Sequence, residues 1–339
     1  MLAHTPILKI IYGSQLYGTF NSESDTDYKE VILPDLKELI CGKSIVNTEI
    51  STGNSNSKNS KKDIDKSFIP LQNFLDAFIG GQSYAIEIVY GVISPNVVKK
   101  EFYDPKFQNI CEVLAAKYLT SDITALMGYI SSQSIKYGIK GKRLIELEKI
   151  KSIFINCQEN GMQRLHEIPV DLLENDSIKK EYVHYGLYLG VSKELNDPCL
   201  YILDKIFPLT ITIKEALERI TVQIANYGHR TITSANVGGA DFKALSHAIR
   251  IAYQIIELLT TKKLEFPLKE RNIIREIKEQ RHSLEFITEL LTDLISQIDV
   301  LKIQNTLPSK ESVFDDFLAF KDKTLLDFYK PSLIALINE

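Results

Sequence analysis

The sequence predicts a mixed α/β domain at the amino terminus followed by a mainly α-helical region. Three observations carry this. Short apolar runs punctuated by Gly, Ser and Asp fill residues 1–94, helical spacing dominates from about Pro105 to Leu173, and it returns from Ile213 almost to the end. The corresponding segments are 1–94 as a compact core, 95–212 as a helical region with two short strands, and 213–339 as a C-terminal helical region.

In the first segment Ile7 to Tyr12, Asp27 to Leu33 and roughly Lys62 to Ser67 read as strands. A helix from about Pro70 to Ile79 would bury Leu71, Phe74, Leu75 and Phe78. The Ser/Asn/Lys run Ser51 to Lys62 has almost no apolar residues and reads as a flexible loop. Helices are expected from Ser121 to about Tyr137 and through Leu144 to Cys157. Alternation suggests strands at Tyr182 to Val191 and Cys199 to Leu203. Breaks in the last segment fall at Gly238-Gly239, Phe266-Pro267 and Leu307-Pro308.

The chemistry concentrates between Ile10 and Leu33. An apolar strand runs into Gly13-Ser14, ten residues follow, and a second strand opens on Asp25-Thr26-Asp27. Side chains alternate along a strand, so Asp25 and Asp27 share a face. Two adjacent carboxylates repel unless a cation lies between them. Oxygen ligands on a rigid strand suit Mg²⁺, which leaves coordination positions for water and phosphate. Gly13-Ser14 offers backbone N–H groups and a hydroxyl with little steric bulk, fit for close approach of a phosphate. Together these parts describe a metal-dependent nucleotide site. Taken singly, Ser-Asp-Thr-Asp is also ordinary turn and cap material.

This segment resembles the signature of the DNA polymerase beta nucleotidyltransferase superfamily, Gly-Ser followed some ten residues on by Asp-x-Asp. Further stretches are similar to its bacterial and phage predicted-nucleotidyltransferase branch, some members of which are linked to RNA repair. They include Leu71 to Leu75, Ala85 to Tyr90, Tyr137 to Arg143 and Asp241 to Arg250. The resemblance implies a mixed-sheet polymerase-beta-like nucleotidyltransferase domain that transfers a nucleoside monophosphate from an NTP to an acceptor hydroxyl and releases pyrophosphate. It implies two Mg²⁺ ions, with Mn²⁺ as a substitute, on Asp25, Asp27 and a third carboxylate from a later strand. The position matching that pattern is Asp65, with Asp63 as the alternative if the register differs by two. Gly13, Ser14 and Gly18 would cradle the β/γ-phosphates. RNA with a tRNA-like 3′ end is the acceptor the resemblance suggests. A protein or small-molecule acceptor, or a non-catalytic binder or antitoxin, are the rival readings.

Two further clusters stand out. On the helix from Asp241 to about Thr261, Lys243, His247, Arg250, Gln254 and Glu257 fall in one stripe among apolar neighbours. Either the stripe faces solvent, held by contacts such as Arg250 to Gln254, or Lys243, His247 and Arg250 serve the nucleotide. Lys136, Lys140, Lys142 and Arg143, interleaved with Tyr129 and Tyr137, would suit an RNA backbone. Lysines near a helix C-terminus are also stabilising without any ligand.

Composition limits the alternatives. The formal charge of −4 over 339 residues requires any nucleic-acid contact to be a local patch. No P-loop and no Gly-x-Ser-x-Gly occur. Cys41, Cys111, Cys157 and Cys199 are scattered without metal spacing, and His4, His166, His184, His229 and His282 likewise. The absence of a long apolar run and of signal-peptide features leads to the expectation of a cytoplasmic protein that does not enter membranes.

Overall fold

The computed structural model describes residues 4–22, 24–52, 63–137, 140–169, 172, 187–191, 198–202, 205–225 and 240–338, with only the backbone described for 135–137, 140–143, 187, 188, 190 and 191. In chain order come β1 (His4–Tyr12), α1 (Gly13–Tyr17), β2 (Thr26–Pro34), α2 (Leu36–Ile40), β3 (Thr48–Ser51) and β4 (Ile64–Pro70). There follow α3 (Leu71–Ile79), α4 (Ser83–Ile93), β5 (Lys100–Phe102), α5 (Lys106–Lys117), α6 (Thr124–Ser131) and α7 (Lys140–Glu159). Then come β6 (Leu187–Val191), β7 (Pro198–Ile202), β8 (Lys205–Pro208) and α8 (Ile213–Ala225). The chain ends with α9 (Phe242–Thr261), α10 (Arg271–Lys278), α11 (Leu284–Gln304) and α12 (Lys310–Asn338).

Two compact units result, Met1–Ser134 with Lys243–Glu339, and Ile135–Phe242. The sequence reading divides the chain into three consecutive segments, whereas the first unit is discontinuous and takes in both ends of the chain.

The first unit carries a five-stranded sheet of order β3-β4-β2-β1-β5. Only β2 and β4 pair in parallel; the other pairs are antiparallel. A parallel pair needs a crossover, and the stretch from Asp35 to Asp63 provides the length. Asp35 starts it by capping α2, accepting from the Glu38 N–H at 3.1 Å. In the middle of β1, the adjacent pairs Ile7-Leu8 and Ile10-Ile11 are buried on either side of half-buried Lys9, so both sheet faces are covered there.

Helix α3 buries Leu71, Phe74, Leu75, Phe78 and Ile79. Helix α4 approaches β1 at Gly91, where a Cβ would lie 3.0 Å from Ile10 Cδ1. The last helix returns to the amino-terminal elements. Tyr118 donates to Asp316 at 2.7 Å, Tyr329 donates to the Pro34 carbonyl at 3.1 Å, and Lys321 pairs with Asp76. After α9, the Lys262 carbonyl accepts from Tyr90 at 2.9 Å and the Leu268 N–H donates to Tyr17 at 3.1 Å. These long-range bonds explain why α9 to α12 belong with the sheet.

The second unit packs α7 and α8 with the antiparallel sheet β6-β7-β8. Leu147, Ile150 and Phe154 from α7 meet Leu200, Ile202 and Phe207 from the sheet and Ile213, Ala216 and Ile220 from α8.

Strands β1, β2 and β4 and helix α3 lie where the apolar pattern predicts. The expected strands in the second unit appear as β6 and β7, joined by an unforeseen β8. The unforeseen β3 and β5 are short, half-exposed edge strands whose sequences carry little apolar signal. Residues 53–62 of the expected loop and Gly238-Gly239 lie outside the described residues. No described helix is long and apolar enough to cross a membrane.

Phe74 is fully buried, with its ring 5.4 Å from that of Phe107. Phe74→Ala should therefore cost about 3–5 kcal/mol of stability, read from urea unfolding. A loss under about 1 kcal/mol would contradict the packing of α3.

Candidate metal centre

The end of β1 sets the geometry. Gly13 takes φ +62°, a left-handed conformation, and a Cβ there would lie 1.9 Å from Asp27 Oδ2. Both constraints demand glycine. Register then gathers the acids: Tyr12 lies opposite Asp27 across the β1–β2 pair, and Asp27 lies beside Asp65 across the β2–β4 pair. Aligned residues on neighbouring strands present their side chains on one face. Asp25, two residues before Asp27, joins them.

Each of Asp25, Asp27 and Asp65 offers a carboxylate oxygen, and the three oxygens lie within 4.8 Å of one another. Asp63 precedes β4 and is not in this group; its carbonyl accepts from the Thr26 N–H at 3.1 Å. The cluster could hold a metal ion, and its chemistry suits a hard divalent cation. A buried Ser14 hydroxyl oxygen without a hydrogen-bond partner among the described residues fits the same opening.

Electrostatics agree with the geometry. The Asp27 carboxyl is pushed up to about 6, first by burial and then by Asp25 and Asp65, with Lys243 and Lys29 pulling it down. The Lys29 ammonium is pushed down by burial while Glu49, Glu87 and Asp27 oppose that shift. It donates to Ser67 at 3.3 Å and stands 4.6 Å over the Tyr12 ring. Burial and then Lys243 push the Lys278 ammonium down, against Asp25 and Asp27.

Gly13, Ser14, Asp25, Asp27, Asp65, Lys243, His247 and Arg250 all line one cleft of about 570 Å³. The sequence reading placed Gly18 there too, and the structure does not. Gly18 caps α1 at φ +76°, and a Cβ would lie 2.7 Å from Pro267 Cβ. Its role is a close turn against the loop after α9. The side chains of Lys136, Lys140, Lys142 and Arg143 lie outside the described residues.

For Arg250 the contact to Gln254 named in the alternative reading is present, but the side chain is buried rather than facing solvent. It is 5% exposed and ion-paired with Glu87, itself fully buried. Its guanidinium donates to Gln254 at 3.1 Å and lies 4.2 Å over the Tyr17 ring. Tyr17 donates to Glu87 at 2.9 Å, and Tyr12 donates to the same carboxylate oxygen. Burial opposes the charged guanidinium, but Glu87 together with Tyr17, Tyr12 and Tyr129 outweighs it and holds Arg250 protonated. Burial, reinforced by Glu87, pushes the Tyr12 and Tyr17 hydroxyls well up. This network ties α4 and α9 to β1 and α1 beneath the cleft. Arg250 is thus occupied with Glu87, while His247 meets the Tyr129 hydroxyl at 3.4 Å.

Sequence reasoning missed Lys29, Lys278 and Glu87. Glu87 left one signal, a lone carboxylate within the apolar helix from Tyr84 to Val92.

Without a cation, the raised Asp27 pKa destabilises the fold near neutrality. The folded protein holds a proton between pH 3.8 and about 6 that the unfolded chain has lost, so stability falls as pH rises through that window. In chelator at pH 8, Asp27→Asn should gain about 1–2 kcal/mol, allowing for solvent screening. The gain should vanish near pH 4. Thermal unfolding across this pH series tests it, and a destabilised variant at pH 8 would contradict the crowding.

No family model matches the chain, and no solved structure matches it. It is similar to the "Uncharacterized 38.9 kDa protein in nrdC-mobD intergenic region" of Enterobacteria phage T4, at 26% identity over 326 residues, 92% of this chain and 95% of the relative.

Proposed function

We propose that the chain is a metal-dependent nucleotidyltransferase with a polymerase-beta-like catalytic domain in its first unit. The observation that carries the reading is the carboxylate cluster of Asp25, Asp27 and Asp65, set against left-handed Gly13 in a cleft that also presents lysines. Three carboxylates within 4.8 Å of one another, two of them raising the proton affinity of buried Asp27, call for a cation. Lysines beside them have no use for that cation, but they suit its anionic partner, a nucleoside triphosphate.

In this reading Asp25, Asp27 and Asp65 hold Mg²⁺, or Mn²⁺ in its place. The bound metal would neutralise the phosphates and acidify the acceptor hydroxyl. Gly13 admits the triphosphate by having no side chain, and Ser14 offers it a hydroxyl. Lys243 adds positive charge where the phosphates collect it. The acceptor hydroxyl gives its proton to solvent water, its oxygen bonds to the α-phosphorus, and the bond from that phosphorus to the α–β bridging oxygen breaks, releasing pyrophosphate. Arg250 and Glu87 act beneath the site by fixing Tyr12, the residue before Gly13.

RNA is the proposed acceptor, on the strength of the sequence resemblance to the RNA-repair-linked branch. Incubation with Mg²⁺ and each α-labelled NTP, offering total tRNA, mixed cell protein and small metabolites, tests it. Label should appear in tRNA. Label in protein or metabolites would keep the chemistry and replace the acceptor, and label in none would favour a non-catalytic binder.

Asp25→Asn, Asp27→Asn and Asp65→Asn should each lower transfer by roughly 10²–10³ or more, because charge stabilisation dominates such reactions. Asp63→Asn should stay within a few fold of wild type. Single-turnover rates with folding verified by circular dichroism check this. Near-normal turnover in Asp27→Asn would remove the metal assignment.

A further inference from the structure

With Arg250 paired to Glu87, Lys66 to Glu30, and Lys29 held by Ser67 and the Tyr12 ring, Lys243 needs a further cation beside it if the cleft receives a polyphosphate. Lys278 fills that position. It is the last residue of α10, a helix anchored by buried Ile274 and Ile277, and it lines the same cleft as Lys243 and the three carboxylates. Neither the Lys243 nor the Lys278 ammonium makes a hydrogen bond or ion pair among the described residues.

A lysine in the last turn of a helix is favoured by the helix dipole. That effect needs no burial and would act on a side chain in open solvent. It does not account for an ammonium drawn into a cleft that already contains those of Lys29, Lys66 and Lys243. Burial disfavours the charge on Lys278, and Lys243 adds repulsion that Asp25 and Asp27 offset. Two neighbouring ammonium groups, neither in a direct ion pair among the described residues and offset only by the fields of Asp25, Asp27 and Glu279, are the cationic counterpart of the aspartate cluster beside them. An anion bearing several charges satisfies both lysines, and a divalent cation satisfies the aspartates.

We infer that Lys278 and Lys243 form a polyphosphate subsite, which holds the pyrophosphate portion of the substrate and retains it after transfer. This rests on the nucleotidyltransferase reading for its place in the reaction, but the binding itself can be measured without any turnover. Lys278 acts here as a ligand of the leaving group. The placement also makes pyrophosphate a product inhibitor.

The test is calorimetric titration of the full chain with two probes. The first is inorganic pyrophosphate at fixed excess Mg²⁺, and the second is Mn²⁺ alone. Lys278→Gln should weaken pyrophosphate binding about tenfold or more, as loss of a charge-assisted contact would. The same variant should bind Mn²⁺ as tightly as wild type or up to about threefold tighter, because one repelling charge near the carboxylates is gone. Lys278→Arg should keep most of the pyrophosphate affinity. Weaker pyrophosphate binding with Mn²⁺ binding unchanged or tighter would support the subsite, since a merely structural role would weaken both.

Unchanged pyrophosphate affinity in Lys278→Gln would overturn the inference, as would parallel loss of both affinities or wild-type protein that binds no pyrophosphate. Lys278-dependent binding in a protein that labels no acceptor would uphold the subsite while removing the transferase reading. Transfer with Lys278-independent binding would do the reverse.

Discussion

Mutual repulsion among Asp25, Asp27 and Asp65 is the constraint around which the first unit is arranged. Strand register brings Asp27 and Asp65 side by side, and no local adjustment separates them without slipping the β2–β4 ladder. A slip by one residue would turn Val31 and Ile69 out of the core, so the core holds the acids together. Gly13 closes the arrangement from the other side, since any larger residue would collide with Asp27. The energy stored in the cluster is small beside the apolar burial that maintains it, and the three carboxylates could hold a metal ion.

The buried Glu87–Arg250 pair does a different job. Removing one partner from such a pair leaves an uncompensated buried charge, so the network is an all-or-none element. Through Tyr12 and Tyr17 it joins α4 and α9 to the strand end that carries Gly13. The carboxylates depend on backbone register for their positions, whereas the floor of the cleft depends on this polar network. The two supports come from distant parts of the chain and meet at Tyr12.

How much of this is legible in the sequence depends on the range of the interaction. Apolar alternation marks β1 and β2, and Asp25-x-Asp27 follows directly from strand geometry, because both signals are local. Asp65 is legible through the family pattern, although the irregular run before it leaves Asp63 as an alternative until the strand start is seen. Edge strands β3 and β5 are not legible: their few residues take strand form only because a neighbour pairs with them. The stripe Lys243, His247, Arg250 on α9 is visible, but its members part company in three dimensions. Arg250 turns to Glu87, 163 residues away, a pairing that periodicity cannot reveal. Lys278 reads as the polar face of an ordinary amphipathic helix, and only its place in the cleft distinguishes it. Gly18 reads as part of a phosphate loop, and its contact with Pro267 explains it as packing.

The central claim is that the three aspartates form a divalent-cation centre. Crystals grown with Mn²⁺ and a non-hydrolysable NTP analogue, measured at the manganese absorption edge, test it most directly. The account predicts anomalous density within bonding distance, about 2.0–2.3 Å, of oxygens from at least two of Asp25, Asp27 and Asp65, with the analogue's phosphates beside it. Anomalous density elsewhere, or none in this cleft at saturating Mn²⁺, would contradict it.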